Sequence, residues 1–218
     1  MITQKTPQLV WQSIYCTLAF LGILCSLGIF DRDFNQNFYV YYTNLSNYIC
    51  AGVMFASLVR TYRQVSRGEE GFCETAPTFT FCSMLLILVT FLVYTFLLSD
   101  YTPLEYFSTL SNVLMHCVLP LMFIFHWLLF HEHGKMRWYH PLYCTIMPLV
   151  YVLFIVIRAP FAKGKPGIDV WPYFFMDMDA LGVSGFLGWI AILLAAFMVV
   201  AYAFYGLDRL WARKNGRN

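Results

Sequence analysis

A chain of 218 residues that is 60% hydrophobic and only 12% charged lies outside the range of soluble domains, in which about a quarter of the residues are charged. The net charge of +2 is too small for a nucleic-acid-binding surface, and no glycine-rich phosphate loop occurs. Aromatic residues reach 19%, as expected where rings anchor at both membrane interfaces. The composition predicts an all-α integral membrane protein forming one domain, residues 1–218, with the bilayer as its surroundings and no nucleic-acid partner.

Runs long enough to cross roughly 30 Å of hydrocarbon, about 20 residues each, fall near 9–30, 38–62, 79–98, 107–130, 142–161 and 182–206. The first is too long for the apolar core of a signal peptide and no small-residue cleavage site follows it, so it is expected to stay as a membrane helix. With six spans, one side of the membrane carries Lys5, Arg60, Arg63, Arg67, Lys135, Arg137, Arg209, Arg213, Lys214 and Arg217, against Arg32, Arg158, Lys163 and Lys165 on the other. The positive-inside rule then places both termini in the cytoplasm, and helices two, four and six begin at the outer face.

The second span opens on Tyr41-Tyr42-Thr43-Asn44-Leu45-Ser46-Asn47. A near copy, Tyr106-Phe107-Ser108-Thr109-Leu110-Ser111-Asn112, opens the fourth, and a weak third echo, Tyr173-Phe174, precedes the sixth. One reading is aromatic enrichment at an interface; the other is a pseudo-repeat of three helix pairs around an outer-facing cavity. Thr43 and Asn47 are i and i+4, while Ser108, Asn112 and His116 descend the fourth helix at the same spacing. Pro120 lacks the N–H that the His116 carbonyl would bond, so a kink is expected there. Thr43 and His116 come out about 8 and about 14 Å inside their helices, a gap that tilt closes.

A lone membrane threonine usually bonds its own i−4 carbonyl, and a lone histidine is often a packing residue. A hydroxyl facing an imidazole is different, because the imidazole can take the hydroxyl proton as general base. Arg158 and Asp177 are ionisable groups at the same interface. Either they pair or snorkel, or Arg158 binds a substrate carboxylate and Asp177 orients His116. Gly182, Gly185 and Gly188 are expected to let the sixth helix pack closely on a neighbour. The seven cysteines read as small core residues, and His131-Glu132-His133 lacks the spacing of a zinc site, so no metal and no cofactor are expected.

The residues Tyr41-Tyr42-Thr43, Met115-His116-Cys117-Val118-Leu119-Pro120, Tyr143 and Trp171-Pro172-Tyr173-Phe174-Phe175-Met176-Asp177 give the chain a resemblance to a family. It resembles the androgen-induced-gene family of six-helix membrane hydrolases, which includes the androgen-dependent TFPI-regulating protein and bacterial relatives. The resemblance implies a threonine hydrolase acting on lipid esters, notably fatty acid esters of hydroxy fatty acids, with the nucleophile at Thr43 and the histidine at His116. Eukaryotic members differ after the threonine. The Ser46-Asn47 pair looks more like the bacterial branch, which implies the plasma membrane of a bacterium. Oxyanion or supporting donors are then sought among Ser46, Asn47, Ser111 and Asn112. The rival expectation is a non-enzymatic transporter or lipid-binding scaffold with an outer-facing polar pocket.

Overall fold

The structure, a computed structural model, describes residues 3–69, 71–73, 75–98 and 109–214. Among the described residues it is helical without strands. Its six long helices are α1 (Lys5–Ser26), α2 (Tyr42–Ser66), α3 (Pro77–Leu98), α4 (Leu110–Phe130), α5 (His140–Ala162) and α6 (Met178–Lys214). All but α2 are long and apolar enough to cross a bilayer. The exposed surface of α5 and α6 carries large apolar side chains such as Leu153, Ile157, Phe161, Leu187, Ile192 and Val199. A surface of this kind suits lipid and not water, so the chain has the construction of a multi-pass membrane protein.

At 25 residues α2 is long enough to span, but it is the least apolar of the six because of what it buries. Thr43, Asn44, Ser46, Asn47, Ser57 and Thr61 all lie on its buried side, where it packs against α1 and α3. Polar groups of this kind are tolerated when protein, and not lipid, surrounds them. The helix also starts later than the apolar run predicts. Residues before Tyr42 are held in a turn by Val40 N–H donating to the Asn37 carbonyl (2.9 Å) and the Asn44 side-chain amide donating to the Phe38 carbonyl (2.9 Å). Thr43 is therefore in the first turn of α2, not five residues inside it.

One apolar core lies among α1 to α4 and reaches Cys144 of α5 and Phe197 and Ala201 of α6, with Tyr15, Met54, Phe81, Met115, Phe123 and Trp127 among its fully buried members. A second joins α5 and α6 to the segments before α2 and α6 through Val40, Tyr151, Ile155, Phe175, Met176 and Phe186. The bundle ends opposite the α2 start are tied by a buried contact, His133 Nδ1 to Asp208 Oδ1 at 3.0 Å, which joins the α4–α5 loop to α6.

Two helices depart from regular α geometry where they meet. The last turn of α3, Tyr94–Leu98, and the turn of α4 over Leu114–Val118 are both π-helical. The widened turn of α4 lies just before Pro120, where the sequence predicts a kink; a missing proline N–H favours this adjustment. The α6 glycines do not serve close packing. A Cβ placed at Gly182 or Gly188 meets nothing within 4 Å. Gly182 instead takes φ 66 and breaks the helix near its start, a conformation that glycine adopts without penalty. The close approach is made by Gly22 of α1, where a Cβ would stand 3.1 Å from Met115 Sδ.

Of the repeat, Tyr106-Phe107-Ser108 lies outside the described residues. The described remainder is not equivalent to the first copy: α4 begins at Leu110, whose counterpart Leu45 lies three residues inside α2.

Candidate active site

Thr43 is 7% exposed, and its hydroxyl has no hydrogen-bond partner among the described residues. Ser13, Thr17, Ser66, Ser83 and Thr90 all donate to the carbonyl four residues back. Thr43 sits one residue into its helix, so no preceding helical turn presents such a carbonyl. Its hydroxyl is left to the space beside it.

That space is double. A polar cavity of about 510 Å³ is walled by Thr43, Asn44, Tyr94, Ser111, Asn112 and His116, with Asp31 and Asp33 at its rim. An apolar slot of about 100 Å³ is walled by Thr43 together with Val89, Val152, Ile190, Leu193 and Phe197. Thr43, Leu98 and Tyr173 line both. Tyr173 is the third echo of the motif, and its ring packs edge-on against Tyr41 of the first copy at 5.9 Å. Tyr41 in turn donates to Asp169 Oδ2 at 2.6 Å, which fixes the α5–α6 loop against the entrance to α2.

His116 projects from the π turn of α4. Its ring stacks on Tyr94 at 3.7 Å with an interplanar angle of 22°, so each widened turn holds one ring of the pair. Nδ1 lies 3.2 Å from the Asn112 carbonyl oxygen. A carbonyl can only accept, so this contact requires the proton on Nδ1 and leaves the lone pair on Nε2. A neutral imidazole in this tautomer has the form of a general base.

The supporting residues divide into two groups. Ser46 and Asn47 line neither cavity. The Asn47 amide donates to the Thr43 carbonyl at 2.8 Å and across to the Met115 carbonyl at 2.9 Å. Ser46 Oγ lies 3.0 Å from the Thr43 carbonyl and 2.8 Å from Thr90 Oγ1. These two clamp α2 to α3 and to the residue before His116. Ser111 and Asn112, by contrast, line the polar cavity.

Asp177 and Arg158 line neither cavity. Asp177 Oδ1 accepts the Ala180 N–H at 3.0 Å and so caps α6. Arg158 is 9% exposed; it donates to the Val170 carbonyl at 3.3 Å and lies 5.6 Å from the centre of the Tyr39 ring. Sequence reading missed Tyr94, Asn44 and the Asp31–Asp33 rim. Tyr94, Asp31 and Asp33 carried no motif in the sequence, and Asn44 stood there only as a member of the Tyr41–Asn47 cluster. No known protein family, no curated protein and no solved structure matches this chain.

Proposed function

We propose that the protein is an intramembrane lipid ester hydrolase of the androgen-induced-gene type, with Thr43 as nucleophile and His116 as general base. The observation that carries this reading is that a largely buried threonine whose hydroxyl has no partner among the described residues and an imidazole with its Nδ1 on a carbonyl share one cavity wall. In this reading α2 is a sixth span whose polar residues face protein, and both termini are cytoplasmic. The site then opens at the outer face of a bacterial plasma membrane.

His116 Nε2 takes the Thr43 proton as Oγ1 bonds to the ester carbonyl carbon. The tetrahedral intermediate collapses, the alkoxide leaves with the proton from His116, and an acyl-threonine remains. Water then gives a proton to Nε2 and its oxygen to the carbonyl. Thr43 departs, regains the proton, and the fatty acid is released. An unassisted hydroxyl is a poor nucleophile at neutral pH, so the pairing is essential to the scheme. The oxyanion donors of this reading are Ser111 and Asn112, which line the polar cavity, while Ser46 and Asn47 line neither cavity and bond backbone carbonyls. The position of Thr43 in the first turn of a 25-residue helix adds free N–H groups and the positive end of the macrodipole.

The experiment is ester turnover by purified protein, with Thr43→Ala and His116→Ala beside wild type. Thr43→Ala is expected to abolish turnover and His116→Ala to lower it on the order of 10²- to 10⁴-fold. Equal rates in all three overturn the mechanism, and lipid binding without turnover assigns the pocket to a binding or transport role.

A further inference from the structure

The two cavities that meet at Thr43 differ in charge as well as polarity. The apolar slot is lined by aliphatic and aromatic side chains together with Thr43 and Thr90. In the polar cavity the carboxylates lining the wall are Asp31 and Asp33, and no Lys or Arg lines it among the described residues. Neither carboxylate is ion-paired among the described residues. Arg32 stands between them in sequence but does not line the cavity, and Arg158 is held elsewhere by Val170 and Tyr39. Among the described residues the polar cavity is thus lined by two carboxylates and by no Lys or Arg. Thr43, 7% exposed and with a hydroxyl that has no partner among the described residues, stands where the two cavities meet, together with Leu98 and Tyr173.

We infer that the site accepts esters whose acyl chain occupies the apolar slot and whose alcohol half, in the polar cavity, is neutral or cationic. An alcohol half bearing a free carboxylate is disfavoured. This rests on the hydrolase reading and departs from the substrate that the family resemblance implies, since a fatty acid ester of a hydroxy fatty acid carries such a carboxylate. The physical reason is direct: a third carboxylate brought beside Asp31 and Asp33 meets like charge with no Lys or Arg in the described lining, whereas a quaternary ammonium or a polyol does not meet that repulsion.

Binding and turnover test the two ideas separately. The probes are ethers and matching esters with one common acyl-length chain and an alcohol half of choline, glycerol or a hydroxy acid. Affinity of the non-hydrolysable ethers is measured on the full chain in neutral detergent. At about 20 mM salt the choline and glycerol ethers are expected to bind roughly tenfold or more tightly than the anionic ether, with the gap shrinking at about 500 mM salt. In the isosteric double variant Asp31→Asn, Asp33→Asn the gap closes, chiefly through tighter binding of the anionic ether. A flat or reversed order in wild type, a gap that survives the double substitution, or no binding of any ether overturns the inference. The esters address the underlying reading: if wild type binds the ethers in the expected order yet hydrolyses none of the esters, the charge preference stands and the hydrolase assignment falls.

Discussion

Thr43 has no carbonyl one turn back to bond because it stands at a helix start, although the hydroxyl of Thr61 in the same helix is also without a partner among the described residues. The hydroxyls of Thr17, Ser83 and Thr90 are consumed by the carbonyl one turn back, and Thr43 has no such turn behind it. Asn47 sets the position of this residue against His116, since its one amide group bridges the Thr43 and Met115 carbonyls. Asn47→Ala removes both bonds and leaves the buried Met115 carbonyl without that donor. It is expected to lower stability by about 2–3 kcal/mol, read as a lower melting temperature in detergent; an unchanged melting temperature contradicts the bridging role. Spacing and depth along the sequence suggested that Thr43 and His116 could face one another, and the structure has both lining one cavity. The assignment of Asn47 and Ser46 to scaffold was not legible, because a one-dimensional i,i+4 pattern does not say whether an amide points at a cavity or at a backbone carbonyl.

At the scale of elements, the six apolar runs locate the six helices, and the errors lie at their ends. Capping and turn contacts decided those ends: the Asn44 amide delays α2, and Asp177 starts α6 before its apolar run. The π turn at Leu114–Val118 was legible only as a proline-induced irregularity, since Pro120 announces a missing N–H but not how the helix absorbs it, and the π turn at Tyr94–Leu98 had no signal in the sequence. The stacking of Tyr94 on His116 depends on both turns and had no signal of its own. Packing of α3 against α5 has a direct chemical test. Cys82 Sγ and Cys144 Sγ lie 2.7 Å apart, within reach of a bond after small adjustment. Mild oxidation of purified protein is expected to give an intramolecular Cys82–Cys144 crosslink in peptide mass spectra, lost in Cys144→Ser. Crosslinks that form instead among Cys16, Cys25 or Cys117 contradict this helix arrangement.

For the whole molecule, the two ends of the bundle have different tasks. The end where α2 and α4 begin holds the two cavities that meet at Thr43, and the other holds an apolar cavity at the starts of α3 and α5 together with the His133–Asp208 contact and His131 beside it. Burial, reinforced by the neighbouring His133, pushes the His131 pKa from 6.5 down to about 3. The unfolded chain therefore binds a proton at this residue between those values while the folded one does not. The sign follows: the stabilising contribution is fully present above about 6.5 and is lost progressively as pH falls towards about 3. Melting temperature in detergent is expected to fall over this window, with a shallower fall in His131→Gln; identical slopes in the two proteins contradict the assignment. The most direct measurement of the central claim is the site of covalent modification. A fluorophosphonate probe is expected to label wild type with the adduct mapped by peptide mass spectrometry to Thr43, and to leave Thr43→Ala and His116→Ala unlabelled. An adduct on another residue, or equal labelling of all three proteins, would contradict the account.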